Sequence, residues 1–465
     1  MRRVLLCLFI ATSTLMAGCL GGGEGIVSDE RVAPIFDDYV MIDEAAHGDV
    51  REFITIDLRT NETTNTTWAV FNKDYGGNCC EHYIATTIEG DIMNIGGEYP
   101  VYTEDRGHQW TTYTPGIIPD TQCRTFVPTN SGQEGLGEGS IVQATNGDII
   151  SMSWFPYIGA DGKIDKFYAI LYDDSEEEWS WCYNRITEPF YDRSWQVEVV
   201  GPISSSLGSG DWASIVVSNF WHQTQNAGGQ ISVDGLNYYP FQFPNRGGGD
   251  PTIELDLNFT EAGLPAYYDV NKPHKEMRSF PFPSGGLLFP SYYDNGNAAY
   301  MDTTLSWNEL EVQFPSEYCQ IDSTGSIHCM KNTGTDFTHF ISYDGANSWQ
   351  NYTYQMGNVS TSIEEWEFQA NGELDLFVLN IRYQSSEGPD VDMVYHVRGY
   401  SEDMSPDTLT YIGAGDLDST SGAGNDIRFD FASLAILSDG GVVVAFHDST
   451  DADPLFAVEL ELPQY

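Results

Sequence analysis

The 465-residue sequence contains very little positive charge. It has 20 lysines and arginines against 69 aspartates and glutamates, which gives a formal net charge of −49 at pH 7, and lysine occurs only six times. The acidic residues are spread along the whole chain and do not form a single acidic tail. This charge excludes binding of nucleic acid through a basic patch, and it is typical of proteins adapted to high salt, where mobile ions screen self-repulsion.

Long helical stretches rich in Ala, Leu, Glu and Lys are also absent. The sequence instead contains 46 glycines and 21 prolines, and 41% of its residues are hydrophobic and 13% aromatic. Such a composition supplies a large core and excludes disorder as the main state. We therefore expect an all-β protein with many short strands and turns.

Signatures of common catalytic and metal sites are missing as well. None of the nine histidines lies in an H-E-x-x-H motif or in another compact zinc-binding arrangement, and there is no G-x-S-x-G elbow or P-loop. Residues 79–82, Cys-Cys-Glu-His, form the densest group of soft metal ligands, but outside the cytoplasm disulfide bonding is the better explanation for such cysteines. Nucleotide chemistry therefore has no support in the sequence.

The first 19 residues have the features of an export signal. Arg2 and Arg3 precede an apolar run over residues 4–17 that is too short to span a bilayer. Small residues then lead directly to Cys19, in the sequence Leu-Met-Ala-Gly-Cys. This segment resembles the lipobox of prokaryotic lipoproteins, which implies a signal peptide over residues 1–18 and a diacylglyceryl group on Cys19. The alternative is an ordinary signal peptide in which Cys19 is incidental.

The lipobox resemblance also implies a location and a domain organisation. Two acyl chains anchor a protein durably, so we expect it on the extracytoplasmic face of the cell membrane. Residues 19–29 would then contain the lipidated cysteine and a Gly-rich tether, and residues 30–465 would form the folded domain.

Hairpin signals recur along that domain. The clearest spans residues 434–446, where two apolar strands flank Ser-Asp-Gly-Gly, and related turns lie near residues 90, 147, 285, 325 and 372. With a further strand at residues 213–217, the sequence has seven hairpins at the spacing of four-stranded propeller blades. We expect a single seven-bladed β-propeller whose last blade is completed by an N-terminal strand at residues 53–58. Eight blades, or a chain of β-sandwiches, are the alternatives.

A second pattern accompanies the hairpins. Three segments share an Asp and a Trp five positions apart, two of them with Ser or Thr before the Asp: Thr103, Asp105, Gly107 and Trp110; Ser342, Asp344 and Trp349; Asp174 and Trp179. The pattern resembles the Asp-box, or BNR repeat, of sialidase-like β-propellers. In such a turn the carboxylate accepts backbone N–H groups, the hydroxyl adds a hydrogen bond, and the Trp packs on the neighbouring sheet. We therefore expect structural roles for these residues.

The arginine pattern of the sialidases is not reproduced in this chain. Those enzymes bind the substrate carboxylate with three arginines, one of them in an Arg-Ile-Pro motif, and use an Asp acid/base with a Tyr–Glu pair. The nearest match here, Arg-Ile-Thr-Glu-Pro at residues 185–189, is interrupted and lies mid-chain. The sequence therefore favours a non-catalytic module that binds a glycan, peptide or protein partner. An extracellular glycoside hydrolase or lyase is the alternative.

One acidic loop and one cysteine pair complete the candidate sites. Asp416, Asp418 and Thr420 place oxygen atoms at alternate positions, as calcium loops do; a solvated loop is the alternative, and no other cofactor is expected. If residues 323–325 form a three-residue hairpin loop, Cys319 lies directly opposite Cys329, which predicts a disulfide bond. The pairing of the other four cysteines stays open: Cys79, Cys80, Cys123 and Cys182.

Overall fold

The computed structural model describes part of the chain, as ranges separated by gaps. Within these ranges it contains β-strands and turns and no helix. The described residues are 48–57, 60, 62–72, 83–86, 92–95, 101–107, 109–113, 123, 139–154, 166–185, 192–219, 229–241, 279–282, 285–332, 336–355, 362–384, 391–398, 408–412, 433–447 and 454–460. All of them belong to the second of two compact units, Met1–Arg31 and Val32–Tyr465. Within these ranges we find no helix suited to crossing a membrane.

Five of the six sheets have four antiparallel strands each, in up-and-down order. Their strands are β3 (Tyr83–Thr86), β4 (Ile92–Ile95), β5 (Val101–Thr103) and β6 (Thr111–Thr112); β7 (Gly139–Gln143), β8 (Ile149–Trp154), β9 (Lys166–Asp173) and β10 (Glu178–Arg185); β11 (Asp192–Ser205), β12 (Gly208–Asn219), β13 (Gly229–Ser232) and β14 (Tyr239–Phe241); β15 (Phe280–Pro281), β16 (Leu287–Phe289), β17 (Asn297–Met301) and β18 (Trp307–Gln313); β19 (Cys319–Ile321), β20 (Ile327–Asn332), β21 (Asp336–Ser342) and β22 (Gln350–Gln355).

The sixth sheet has nine strands, in the order β23-β24-β25-β26-β1-β2-β29-β28-β27. These strands are β1 (Asp49–Asp57), β2 (Thr63–Asn72), β23 (Ser362–Asn371), β24 (Leu376–Gln384), β25 (Val391–Arg398), β26 (Thr408–Ile412), β27 (Ser433–Ile436), β28 (Val442–His447) and β29 (Pro454–Glu459). Strand β1 pairs with β2 on one side and with β26 on the other, so it joins two four-stranded halves into one sheet.

The fold is a single all-β propeller, but its blade count differs from the expectation. The described strands form six separate hydrogen-bonded sheets, which gives six blades. The predictions of seven and of eight blades are therefore both wrong. The physical reason is β1, which removes the edge between the two halves of the nine-stranded sheet. The hairpins still supply the innermost strands β3, β7, β11, β15, β19, β23 and β27, which contact one another in that cyclic order.

The strand that closes the ring also differs from the expectation. Strand β2, and not residues 53–58, pairs with β29 and completes the sheet half that contains the C-terminal strands. Residues 53–57 belong instead to β1, where the hydroxyl of Thr55 lies 2.8 Å from that of Thr66 and 2.9 Å from that of Thr410. A buried chain of three threonine hydroxyls therefore holds the two halves together, because buried hydroxyls need hydrogen-bond partners.

The core lies between neighbouring sheets, which explains the continuous apolar run at residues 442–446. Val442 and Val444 pack in one hydrophobic cluster with Trp68, whereas Val443 packs in a second cluster with Ile92 on the other face of the strand. A strand that is buried on both faces needs apolar residues at consecutive positions and does not alternate with polar ones.

Candidate functional site

Thr103 and Asp105 close the turn between β5 and β6 with side-chain hydrogen bonds. The hydroxyl of Thr103 donates to Asp105 Oδ1 at 2.8 Å and accepts the N–H of Gly107 at 2.8 Å, while Asp105 Oδ1 accepts the N–H of Gln109 at 2.8 Å. Trp110 then packs against the cluster that contains Ile92. The carboxylate therefore satisfies backbone groups of its own turn.

The turn between β21 and β22 has the same arrangement. Ser342 Oγ donates to Asp344 Oδ1 at 2.9 Å, and Asp344 Oδ1 accepts the N–H of Ser348 at 2.9 Å. Partial burial raises the pKa of Asp344, but the hydrogen bonds from Ser348, Ser342 and Asn347 outweigh it and leave the pKa below the usual 3.8. Trp349 packs edge-on against Phe314 at a centroid distance of 5.8 Å.

The third predicted segment differs in detail. Asp173, and not Asp174, accepts the N–H groups of Ser175 at 3.0 Å and Glu176 at 3.1 Å. Burial and the neighbouring carboxylates raise the pKa of Asp174. Trp179 does pack between sheets, stacked on Tyr113 at a centroid distance of 4.4 Å. The Asp-to-Trp spacing therefore located the turn correctly but assigned its acceptor one residue too late.

A further turn of this kind was missed by the sequence pattern. Between β13 and β14, Ser232 Oγ donates to Asp234 Oδ1 at 2.8 Å, and Asp234 Oδ1 accepts the N–H of Asn237 at 2.7 Å. Tyr239 stands where the pattern requires Trp, which hid the match. A search for Ser or Thr two residues before Asp, with any aromatic residue five positions later, would have found it.

Two more turns share the pattern D-x-T-x-S and the same geometry. Asp302 Oδ1 accepts the amide and hydroxyl of Thr304 at 2.9 and 2.6 Å, and the N–H of Ser306 at 3.1 Å. Asp322 Oδ1 accepts the corresponding three hydrogens from Thr324 and Ser326 at 2.9, 2.6 and 2.9 Å. The two turns differ in the partner of the second carboxylate oxygen. Asp302 Oδ2 accepts a hydrogen bond from the Asn308 side chain, whereas Asp322 Oδ2 contacts a histidine, His328.

The candidate functional site is built around that second turn. The turns at residues 322–326 and 371–375 approach each other, and Tyr343, in the turn at residues 342–348, lies close to Asp322 and Asp375. We call these three turns the three-turn junction. A Cβ atom added to Gly372 would lie 2.8 Å from Thr324 Cγ2 and 3.0 Å from Asp322 Cγ, which shows how closely two of the turns approach. The junction joins the sheet β19–β22 to the half-sheet β23–β26.

A chain of buried polar groups extends from the junction into the core. Asp322 Oδ2 lies 2.9 Å from His328 Nε2, and His328 Nδ1 lies 2.9 Å from His339 Nε2. Both imidazoles are completely buried. Phe377 of the neighbouring half-sheet stacks on His339 at a centroid distance of 4.3 Å and an interplanar angle of 14°. Neither histidine stood out in the sequence, because their contact depends on the pairing of β20 with β21.

Tyr343 gives the junction an exposed aromatic surface. Its side chain is 44% exposed, and only Val50 is similarly exposed among the large hydrophobic residues that the structure describes. Partial burial, together with the charges of Asp322 and Asp375, raises the pKa of Tyr343 to about 12. The phenol therefore remains a neutral hydrogen-bond donor at physiological pH, which suits contact with a ligand better than nucleophilic attack.

Two disulfide bonds are present in the described part of the chain. Cys319 and Cys329 are directly opposite each other on β19 and β20, with a Cα–Cα distance of 4.1 Å, as the hairpin register predicts. Cys123 pairs with Cys182, 59 residues further on, at a Cα–Cα distance of 5.5 Å. The sequence left this second pairing open because no local register links residues that far apart.

Several predicted site residues lie outside the described residues: Cys19, Cys79, Cys80, Asp416, Asp418 and Thr420. Lipidation of Cys19 and calcium binding at residues 416–420 therefore stay predictions. In the ranges for which positions are described, no group of three or more His, Cys, Asp or Glu side chains is arranged to hold a metal ion.

Comparison with known proteins finds similarity only at the level of solved structures. No family model and no curated protein matches the sequence. A structure of NanB with optactamide is 14% identical over 89% of this chain and 68% of its own, with a TM-score of 0.31. The NanB sialidase from Streptococcus pneumoniae is 11% identical (89% and 93% covered, TM-score 0.26), and a luciferin-regenerating enzyme is 10% identical (71% and 92%, TM-score 0.32). Values this low carry no inference about activity.

Proposed function

We propose that the chain is a membrane-anchored extracytoplasmic lipoprotein whose propeller is a non-catalytic binding module for a glycan, peptide or protein partner. The observation that carries this proposal is the use of the turn carboxylates. The carboxylates of Asp105, Asp234, Asp302, Asp322 and Asp344 each accept hydrogen bonds from their own turn. A glycoside hydrolase instead needs two carboxylates that flank an open space for the sugar.

Tyr343 is the contact residue that we propose for the partner. An exposed tyrosine offers a flat apolar face and has little conformational entropy to lose, which suits contact with sugar rings and peptide side chains. The nearby carboxylates of Asp322 and Asp375 favour neutral or cationic partner groups over anionic ones. The Asp-turns are proposed to be Asp-box repeats that hold this surface in place.

The binding role is tested with the full chain, extracted in detergent and assayed in molar salt. A glycan array, a peptide library and a panel of fluorogenic glycosides are compared for wild type, Tyr343→Ala and the control Val50→Ala. We expect binding without turnover, weakened at least about tenfold by Tyr343→Ala because one aromatic anchor contributes on the order of 1.4 kcal/mol or more, and unchanged by Val50→Ala. Turnover that a single carboxylate substitution abolishes would establish the hydrolase alternative instead.

The anchor is tested by metabolic labelling with a fatty acid. We expect label on wild type and on Cys7→Ala, whose altered cysteine lies within the proposed signal peptide, and none on Cys19→Ala. Equal labelling of all three proteins would refute the lipoprotein proposal without affecting the binding proposal.

A further inference from the structure

The hydrogen-bonded chain Asp322–His328–His339 has a defined direction. A carboxylate accepts but does not donate, so the 2.9 Å contact with Asp322 requires a proton on His328 Nε2. In a neutral imidazole the other nitrogen is then an acceptor, and His339 must donate from Nε2 to His328 Nδ1. Complete burial favours the neutral form of both histidines, and in that form each carries its proton on Nε2.

Burial opposes protonation of this arrangement. A proton on His328 Nδ1 removes the acceptor for the Nε2–H group of His339 and forces His339 to change tautomer, while a proton on His339 places a positive charge in a fully buried position. Burial lowers the pKa of His328 below 6.5 against the opposing effect of Asp322. Burial, together with repulsion from His328 in its protonated form, lowers the pKa of His339 well below 6.5. The folded arrangement thus resists proton uptake.

From this geometry we propose that the His328–His339 pair makes the contact between the sheet β19–β22 and the half-sheet β23–β26 acid-sensitive. Below about pH 6.5 an opened junction binds protons that the closed junction excludes, so acid favours opening. Of the titratable groups at the junction, Asp322 contacts His328, and Tyr343 lies close to Asp322 and Asp375. Tyr343 stays neutral in this range, so it does not oppose the effect. The propeller would thereby loosen beside Tyr343 in an acidic compartment.

The size of the effect follows from linkage. A histidine with a pKa of 6.5 in the open state, and neutral in the closed state, raises the opening constant about tenfold between pH 7.5 and 5.5. Two such histidines raise it up to about a hundredfold. The effect is confined to the parts of the structure that open with the junction.

Hydrogen exchange of the full chain, followed by mass spectrometry, tests the proposal directly. After correction for the intrinsic pH dependence of exchange, peptides from β20, β21 and β24 should exchange at least tenfold faster at pH 5.5 than at pH 7.5. Peptides from β2 and β28, outside the junction, should not change. An equal response of both groups of peptides would overturn the proposal, and this comparison uses wild type alone.

Two variants separate the histidine pair from other acid effects. His328→Gln with His339→Gln keeps one amide donor and one acceptor at each position but removes both titratable groups, so the tenfold acid response should disappear. His447→Gln, which alters a histidine on β28, should retain it. An acid response that persists in the double variant would refute the role of the pair, and failure of that variant to fold would leave the wild-type comparison to decide.

Discussion

Truncation of Asp322 should destabilise the protein more than truncation of its structural twin, Asp302. Both carboxylates accept three hydrogens from their own D-x-T-x-S turns at distances of 2.6–3.1 Å. Asp302→Ala removes the turn bonds and a longer, exposed hydrogen bond from Asn308 at 3.3 Å. Asp322→Ala removes the turn bonds and also the acceptor of the buried N–H of His328, so the difference between the two variants reports mainly on the histidine link.

The magnitude follows from the burial of each partner. Loss of a turn or capping carboxylate costs about 1–2 kcal/mol, which applies to both variants. A buried donor left without an acceptor costs a further ~1–3 kcal/mol, and His328 is completely buried. We therefore expect a decrease in the free energy of unfolding of about 1–2 kcal/mol for Asp302→Ala and about 2–5 kcal/mol for Asp322→Ala.

Urea unfolding at pH 7.5, monitored by tryptophan fluorescence, measures the difference through the midpoint of the transition, provided that the slopes agree. Hydrogen exchange then assigns the loss to a region: the extra destabilisation of Asp322→Ala should appear in β20 and β21. Equal midpoints for the two variants would show that the His328 contact contributes nothing measurable, and the proposed role of the buried chain would fall with it.

Three further substitutions test other contacts. Arg106→Ala removes the ion pair to Asp439 and should cost up to about 1 kcal/mol at low salt and less in molar salt, measured by urea unfolding at both ionic strengths. The free energy of unfolding of Glu198→Gln, relative to wild type, should rise as pH increases above 4.5 and then level off, measured by pH-dependent unfolding. Burial raises the pKa of Glu198, so its charging opposes folding, whereas the Thr145 donors can bond the amide oxygen. Gly372→Ala should decrease the free energy of unfolding by about 1–3 kcal/mol through crowding at the junction, seen as a lower urea midpoint.

Features set by short stretches of chain were predictable from the sequence. The turn beside Cys319 shows why: the N–H of Gly325 bonds the carbonyl of Asp322, and Gly325 has a φ of 88°, as the three-residue loop requires. This turn alone determines that Cys319 faces Cys329. The hydrogen bonds of the Asp105 and Asp344 turns are equally local, since each spans four residues or fewer.

Pairings between distant segments were not predictable in the same way. Strand β1 meets β26 at Thr55 and Thr410, which are 355 residues apart, and nothing near either threonine specifies the other. The hairpin signals in the sequence give the number of hairpins. The number of hydrogen-bonded sheets depends instead on which outermost strands pair with each other. One added strand at an outer edge therefore changed the sheet count while the ring of innermost strands remained as the hairpins indicate.

The histidine pair shows a further limit of sequence reasoning. Residues 327–330 are all buried, but a histidine among Ile, Cys and Met carries no sign of its partner. That partner follows from the register of β20 with β21, where Met330 and not His328 lies opposite His339, so the two imidazoles meet diagonally. Because a buried polar side chain is costly without a partner, its presence in an apolar strand is itself the signal to search for one on the adjoining strand.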